Sequence, residues 1–302
     1  MVKNTVFQDL NVSTQEVTLY TRVAWSLQSG NALIAIHGGP GMTHDYMLNL
    51  EELAGPDLAV VTYDQRGVGR SSSPQTEPAS YTLEKYAEDL EVIRQAIGID
   101  QVYLFGHSWG GIVAMRYATQ YPEHVRLIVL MGSGPPTRAQ TLQCQDALVQ
   151  RIIALAQQGI ILENPPPGST QAERGYLPAY FSDPSFWFSA DDPGSGPIID
   201  ERTTQINDLT WAANDDYDLT ADLAGLNHPV LILWGDDDPV RRISSPAIIA
   251  ALSNATLETV VLLHCGHFWH ECPDQFFPLV RNFLSVPALT ANSTVDWIGT
   301  QP

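Results

Sequence analysis

The stretch QVYLFGHSWGGIVAMRYA, residues 101–118, combines a short apolar run, a glycine-rich turn and a helical pattern. The turn contains G-x-S-x-G, with Ser108 between Gly106 and Gly110. At such a strained turn the glycines allow a sharp bend, which lifts the serine hydroxyl above the edge of a sheet. About one chain in ten of this size would contain the bare pattern by chance, so the strand and helix around it carry the prediction. Ser108 is the candidate nucleophile, and a plain glycine-rich turn with an incidental serine is the alternative.

The regions on both sides of this stretch alternate apolar runs with helix-period patterns. Two alternating stretches around 16–27 precede ALIAIH (32–37), LAVVTYD (58–64), QVYLFG (101–106), VRLIVLMG (125–132), PVLILWG (229–235) and LETVVLLH (257–264). Helical patterns cover 83–97, 112–121, 245–252 and 273–284. Continuous Val, Ile and Leu runs are typical of strands buried on both faces, so the sequence predicts an α/β fold with a mostly parallel central sheet.

The alternation stops between residues 135 and 227, where ENPPPGST (163–170) and DDPGSGP (191–197) separate helical pieces. A strand precedes this region and another follows it, which predicts a helical cap inserted after the sixth strand, over the edge where α/β sheets bind ligands. We therefore expect a core formed by 1–134 and 228–302 and a cap (lid) formed by 135–227. The cap aromatics, Trp187 and Trp211 among them, either line a pocket or form the cap's own small core.

A serine hydroxyl needs a base that accepts its proton and an acid that orients the base. The strand PVLILWG ends in three consecutive aspartates, residues 236–238, and the last strand is followed by His267. The order Ser, Asp, His along the chain is that expected of α/β-hydrolases. His264 and His270 are the neighbouring alternatives to His267, and the residues alone leave open which aspartate acts.

The tetrahedral intermediate of acyl transfer needs backbone N–H donors for its oxyanion. HGGPG (37–41) follows an early strand, and its glycines leave amides accessible. The N–H groups of Gly39 and Trp109 are the candidate donors, and an ordinary tight turn would explain the glycines equally well.

Five motifs together resemble the prolyl aminopeptidase (proline iminopeptidase) family of α/β-hydrolases. They are HGGPG (37–41), DQRGVGRS (64–71), GHSWGG (106–111), GDDD (235–238) and GHFWHECPDQF (266–276). The resemblance implies an α/β-hydrolase fold without a cofactor. It also implies that Ser108 is the nucleophile, Asp238 the acid, His267 the base, and Gly39 with Trp109 the oxyanion hole.

The sequence differs from the family pattern in the cap. Archaeal members carry glutamates that bind the substrate's free α-amine, one late in the cap and one directly after the catalytic acid. DYDLT (216–220) resembles the end of that cap, and counting back from it places Asn207 at the expected glutamate, with Asp208 beside it. Pro239 follows the acid. Asp208 is therefore the candidate to bind an amine in this chain.

These motifs leave several functions open, including a cofactor-free lyase that would use His267 only as a base. The one they favour is a serine hydrolase that acts through an acyl-enzyme as an aminopeptidase on small peptides. A carboxylesterase or lactonase of the same fold is the alternative. A non-catalytic receptor for a small ligand is the alternative from another class.

Charge and composition limit the partners. The 302 residues include 15 Lys and Arg against 34 Asp and Glu, a net charge of −19 that repels nucleic acid and leaves a small molecule or short peptide as the expected substrate. No apolar run reaches the roughly 18 residues that span a membrane, and MVKNTVFQDL lacks a signal-peptide core, so a cytoplasmic protein is expected. The three cysteines form no paired framework and predict ordinary buried thiols. The His and Cys residues of 264–272 lack a second ligand cluster, so no metal is expected, and the oligomeric state stays open.

Overall fold

The computed structural model describes residues 6–160, 177–186 and 201–285. Its sheet has eight strands in the order β1-β2-β4-β3-β5-β6-β7-β8. The strands are β1 (Phe7–Ser13), β2 (Thr18–Ala24), β3 (Ala32–Ile36), β4 (Ala59–Tyr63), β5 (Val102–His107), β6 (Val125–Met131), β7 (Pro229–Gly235) and β8 (Thr256–Leu262). Only β1 with β2 and β2 with β4 pair antiparallel. The predicted mostly parallel sheet is confirmed.

Helices alternate with the strands. They are α1 (Leu83–Ile97), α2 (Trp109–Gln120), α3 (Arg138–Gln157), α4 (Glu201–Ala213), α5 (Thr220–Leu223), α6 (Arg241–Ala251) and α7 (Pro273–Ser285). The bounds of α1 follow from its sequence: Thr82 caps the start through its side chain, and Gly98 ends the helix with a φ of 72°. No helix within the described ranges is long and apolar enough to cross a membrane.

The first strand lies upstream of its predicted position. The sequence predicts both early strands around 16–27, whereas β1 covers Phe7–Ser13 and the turn that joins it to β2 forms at Thr14, whose amide donates to Val17 O at 2.8 Å. The strand is at the edge of the sheet, and Val12 is its single buried residue. An edge strand with one buried side chain has almost no apolar alternation to detect.

The central strands bury both faces, which explains their continuous apolar runs. In β3, Ile34 and Ile36 pack on one side with residues of α1, α2 and α6. Leu33 and Ala35 pack on the other side with the 3₁₀ helix Asp45–Leu53 and with α7. This layering places the carboxyl ends of β3, β5, β7 and β8 at one edge of the sheet, where the candidate site residues follow them.

The described part of the region between β6 and β7 is helical. It contains α3, the segment 177–186 with the 3₁₀ helix Leu177–Tyr180, α4 and α5. A helical insertion after the sixth strand is the arrangement predicted from the sequence.

Candidate active site

Ser108 occupies a strained turn between β5 and α2, with a φ of 55° and a ψ of −120°. The flanking glycines are required by close packing. A Cβ on Gly106 would lie 2.7 Å from the carbonyl oxygen of Gly110, and a Cβ on Gly110 would collide with the backbone of Ile36. The strand–turn–helix context that the sequence predicts for Ser108 is therefore present, and it is enforced by the absence of side chains around it.

His267 and Asp238 form a buried pair behind the serine. The Nδ1 atom of His267 lies 2.9 Å from Oδ2 of Asp238, and Oδ1 of Asp238 accepts a hydrogen bond of 2.9 Å from the amide of Val240. Because a carboxylate only accepts, Nδ1 carries the proton and Nε2 keeps its lone pair. Nε2 is buried and has no hydrogen-bond partner among the described residues. His267 and Ser108 line the same cavity.

The three consecutive aspartates have three different partners. Asp236 Oδ1 accepts from the amide of Cys265 at 3.1 Å. Asp237 points to the cap and forms a 2.6 Å ion pair with Arg151. Asp238 alone contacts the ring of His267. The geometry therefore distinguishes the three carboxylates that the sequence left equivalent.

The two alternative histidines are placed differently. His264 lies in the exposed turn after β8, with a φ of 55°. His270 is turned away from the serine, since its Nε2 donates to the carbonyl oxygen of Tyr46 at 2.8 Å. Burial lowers the pKa of His270 to about 4, and of these three histidines His267 is the one that lines the cavity.

Gly39 and Trp109, the predicted oxyanion donors, line the cavity beside Ser108. Gly39 adopts a φ of 129°, and a Cβ there would lie 2.6 Å from the amide nitrogen of Gly41. Neither the Gly39 nor the Trp109 amide donates a hydrogen bond to another described group. The Gly39 conformation is one that glycine adopts readily, and Trp109 is the first residue of α2, where amides have no partner within the helix, so both amides are available to a ligand.

The cavity has a volume of about 390 Å³. Apolar side chains of Met42, Ile112, Leu148, Trp211 and Val240 form much of the lining, together with the ring of Tyr180. Among the described lining residues there is no carboxylate, lysine or arginine. Such walls suit an uncharged ligand of small to moderate size.

Helix α4 presents Asn207 to this cavity and Asp208 to solvent. Asn207 lines the cavity, and its Nδ2 donates to the carbonyl oxygen of Pro40 at 2.7 Å. Asp208, predicted from the sequence to bind an amine, is exposed and is not among the lining residues. The buried positions Thr203, Ile206 and Thr210 set this orientation, because residues three, four and seven apart share one face of a helix. Trp187 lies outside the described residues.

The loop 265–272, which carries His267 and is called the base loop below, is anchored by contacts that the sequence did not indicate. The amide of His267 donates to Tyr180 O at 2.7 Å, and the Tyr180 ring lies 4.6 Å from the imidazole between centroids. The carboxylate of Glu271 accepts from the amides of Gly266, Ser182 and Asp183 at 2.8–3.0 Å. Burial raises the pKa of Glu271. These bonds tie the base loop to the cap segment 177–186.

A disulfide joins Cys265 to Cys272 and brackets the base loop. The expectation of three ordinary buried thiols is therefore wrong for these two residues, and Cys144 remains a free, buried thiol. The physical reason is local: the 3₁₀ helix Trp269–Glu271 folds the chain back and brings the two Cα atoms to 5.7 Å, within the range that a disulfide spans.

One group among the described residues has the composition of a metal site, namely His44, Asp45 and Asp64. His44 and Asp64 are hydrogen-bonded to each other, and Asp45 accepts from the hydroxyl of Thr43 at 2.6 Å. Asp64 Oδ1 accepts from the amide and from Nδ1 of His44 at 3.1 and 2.7 Å, and Oδ2 accepts from the amide of Arg70 at 2.8 Å. The group therefore acts as the hydrogen-bonded core of the turn that follows β4.

Known proteins share this architecture. Residues 31–271 match the family model for the alpha/beta hydrolase fold. The proline iminopeptidase of Thermoplasma volcanium is 29% identical over 294 residues, which cover 92% of this chain and 96% of that protein. The proline iminopeptidase of Lacticaseibacillus rhamnosus is 27% identical over 253 residues, covering 80% and 85%.

Solved structures agree with this assignment of the fold. The proline iminopeptidase of Mycobacterium smegmatis superposes with a TM-score of 0.66 at 19% identity, covering 92% of this chain and 97% of that one. An esterase from Exiguobacterium antarcticum gives 0.61 at 19% identity, covering 91% and 98%. The resemblance to proline iminopeptidases that the motifs indicate is confirmed, and the chain belongs to the α/β-hydrolase fold family of hydrolases.

Proposed function

We propose that this hydrolase is a serine hydrolase that cleaves small ester or amide substrates through an acyl-enzyme. Ser108 is the nucleophile, His267 the base and Asp238 the acid. The observation that carries the proposal is the buried 2.9 Å contact of His267 Nδ1 with Asp238, which leaves Nε2 without another partner among the described residues, together with the cavity that His267 and Ser108 both line.

In the first half of the reaction His267 Nε2 accepts the proton of the Ser108 hydroxyl as Oγ attacks the substrate carbonyl. The imidazolium that forms is stabilised by the negative charge of Asp238, which accepts a hydrogen bond from Nδ1–H. The oxyanion accepts hydrogen bonds from the amides of Gly39 and Trp109. His267 then gives its proton to the leaving alcohol or amine, and the acyl group stays on Ser108.

In the second half, water takes the place of the leaving group. His267 Nε2 accepts a proton from the water as it attacks the acyl-enzyme carbonyl, and the same amides stabilise the second oxyanion. Collapse returns the proton to Ser108 Oγ and releases the acid. No step requires a cofactor.

We propose that the acyl group is uncharged and largely apolar. The described lining of the cavity supports this choice, because it includes Ile112, Leu148 and Trp211 and carries no carboxylate, lysine or arginine. Each methylene of such a group contributes about 0.8 kcal/mol when it is fully buried. In this proposal 1–134 and 228–302 supply the chemistry, and cap residues such as Leu148 and Trp211 contact the acyl group.

An aminopeptidase is the second candidate. The observation that favours it is the similarity to proline iminopeptidases over 92% of this chain. Such an activity needs a partner for the substrate's ammonium group, and Asn207 offers a neutral amide where the family's cap glutamate is expected. The geometry of the described cavity wall therefore favours the ester or N-blocked amide.

The triad is tested by labelling. A fluorophosphonate should modify Ser108, and Ser108→Ala should abolish both labelling and turnover while the melting temperature stays close to that of the parent. Ser285→Ala, a change at an exposed serine at the end of α7, is the matched control and should label normally. Labelling of a different serine, or turnover by Ser108→Ala, would refute the assignment. If the protein is instead a non-catalytic receptor, the unmodified protein should bind a ligand without turning it over.

The substrate class is tested by three matched substrates: a prolyl or alanyl arylamide with a free amine, its N-acetylated counterpart, and a short acyl p-nitrophenyl ester. We expect the ester to be cleaved fastest and N-acetylation to change kcat/KM little. An enzyme that binds the amine through a carboxylate should instead lose roughly ten- to a hundredfold on N-acetylation. That loss would establish the aminopeptidase in place of the esterase.

A further inference from the structure

A chain of three hydrogen bonds joins the HGGPG loop (37–41) to the base loop through two buried side chains that the mechanism above does not use. The amide of Gly38 donates to Tyr46 Oη at 2.6 Å. Tyr46 Oη lies 2.7 Å from His107 Nδ1, and His107 Nε2 lies 3.1 Å from the carbonyl oxygen of His267. Tyr46 and His107 are almost fully buried. The chain therefore connects the residue before one oxyanion donor to the base itself.

The direction of every bond in this chain is fixed by chemistry. The carbonyl oxygen of His267 can only accept, so His107 Nε2 carries the ring proton. Burial lowers the pKa of His107 well below its usual range, which keeps the ring neutral and leaves a lone pair on Nδ1. Tyr46 then donates its hydroxyl proton to Nδ1 and accepts from Gly38. Each group donates its one proton in the same direction, and moving the His107 proton to Nδ1 would leave the bare Nε2 atom facing the carbonyl oxygen of His267, an acceptor facing an acceptor.

We propose that Tyr46 and His107 are positioning residues that hold the oxyanion donor and the base in a fixed relation to Ser108. The proposal rests on the function proposed above. The bond to Tyr46 fixes the peptide plane that precedes Gly38, and Gly39 is the next residue along. A Cβ on Gly38 would lie 3.1 Å from Ser108 Cβ and 3.2 Å from His107 Nδ1, so this backbone is wedged against the nucleophile.

The packing of the two loops does not depend on the Tyr46 hydroxyl. The 3₁₀ helix Asp45–Leu53 is also attached to the base loop by His270, which donates to Tyr46 O, and by Trp269 Nε1, which donates to Asn49 Oδ1 at 3.2 Å. The Tyr46 ring packs edge-on against Phe268 at 5.6 Å between centroids. Removing the hydroxyl alone should leave these contacts, so its effect should appear in catalysis more than in folding.

The test compares Tyr46→Phe with Tyr117→Phe. Tyr117 is an equally buried tyrosine of α2 whose hydroxyl donates to Glu91 at 2.8 Å, outside the chain described here. Activity on the p-nitrophenyl ester is normalised to the active sites that a fluorophosphonate titrates. We expect Tyr46→Phe to lower kcat about 10- to 100-fold with KM changed less than about twofold, since small misplacements of catalytic groups reduce rate to this extent. Tyr117→Phe should keep kcat within about twofold.

His107→Gln removes the ring that accepts from Tyr46 and donates to the carbonyl oxygen of His267. Because either substitution breaks one continuous connection, the double variant should lose little more than the worse single variant. Equal kcat in the two tyrosine variants, or fully additive losses in the double variant, would overturn the proposal. Ser108→Ala, run in parallel, separates this outcome from a failure of the proposed function, because only the latter leaves Ser108→Ala active.

A measurement on the unmodified protein keeps the proposal testable if a variant does not fold. ¹⁵N NMR of histidine-labelled protein should contain a ring with a proton on Nε2, a bare Nδ1 and no titration between about pH 5 and 9. Tyr46→Phe or His107→Gln, whichever folds, assigns this ring. If neither folds, its nuclear contact to the His267 ring distinguishes it from the ring of His270, which also carries its proton on Nε2. A ring at this position that is protonated on Nδ1, or that titrates near its ordinary value, would refute the chain.

Discussion

Replacing Asp238 by asparagine should be the most damaging change among the three adjacent aspartates, and the structure allows its size to be worked out. Oδ1 of Asp238 accepts from the buried amide of Val240, and Oδ2 faces Nδ1 of His267. An asparagine has only one oxygen for these two donors. If the oxygen stays on Val240, the NH₂ group faces Nδ1 and forces the ring proton onto Nε2, which can then no longer accept the proton of Ser108.

If the side-chain amide of the asparagine is rotated by 180°, its oxygen accepts from His267 Nδ1–H and the productive tautomer is restored. Its NH₂ group then faces the backbone N–H of Val240, so two donors face each other. One unsatisfied buried donor costs about 1–3 kcal/mol. Loss of the charged partner of the imidazolium adds about 1.5–3 kcal/mol, the value of a hydrogen bond to a charged group. The sum of about 2.5–6 kcal/mol corresponds to a loss of about 10²- to 10⁴-fold in kcat at 1.36 kcal/mol per decade. The upper end agrees with losses of about 10⁴ for the same change in other triads.

The matched controls lie on either side of Asp238. Asp236→Asn keeps an oxygen for the amide of Cys265, so activity should change no more than a few-fold. Asp237→Asn weakens a part-exposed ion pair with Arg151, and such pairs contribute about 0.2–1 kcal/mol. The assay is kcat/KM on the ester, with melting temperatures measured in parallel. A loss below about tenfold in Asp238→Asn, or a larger loss in either neighbour, would refute the assignment.

Two further predictions concern the cap and the pH range. Asn207→Glu should place a carboxylate in the cavity and raise the ratio of kcat/KM for a free-amine arylamide to that for its N-acetylated counterpart by about 10- to 100-fold. Asp208→Asn, on the exposed side of α4, is the control and should leave this ratio unchanged. An unaltered ratio in Asn207→Glu would mean that the acyl end of the substrate does not approach α4. Burial lowers the pKa of both His37 and His270 to about 4, so below about pH 6.5 the unfolded chain binds protons that the folded chain does not. Stability should therefore be full above that pH and fall by about 2 kcal/mol per histidine by about pH 5, as measured by urea unfolding. His107, whose pKa burial also lowers, adds to this fall, so His270→Gln should remove about a third of it. A free energy of unfolding that stays constant from about pH 7.5 to 5 would contradict the prediction.

The sequence predicts the core well because its signals are local. The strand PVLILWG and helix 83–97 have their predicted bounds, since a strand buried on both faces is continuously apolar and α1 is capped by its own neighbours. Edge strand β1, with its single buried residue, has no comparable signal. The motifs after the strands predict Ser108 and His267 for the same reason, because each lies within a few residues of a strand end.

The links between these motifs could not be predicted, because they join distant parts of the chain. Tyr46 contacts a residue 61 positions away, and His107 contacts the carbonyl of a residue 160 positions away. Neither position has a local pattern that indicates its partner. Asn207 and Asp208 are a different case, since the buried residues Thr203, Ile206 and Thr210 repeat at helical spacing and would have placed Asp208 on the outer side.

In the proposed function, the base loop connects the residues that perform the chemistry to the cap residues that contact the substrate. Its inner side is bonded through His107 and Tyr46 to the HGGPG loop. Its outer side is bonded to the cap, through the amide of His267 on Tyr180 and through Glu271 on the amides of residues 182 and 183. A change in the cap that shifts residues 180–183 therefore acts on the position of His267 as well as on the acyl pocket. Substitutions that alter substrate preference through this segment should change kcat together with KM, whereas substitutions on α4 should act mainly on KM.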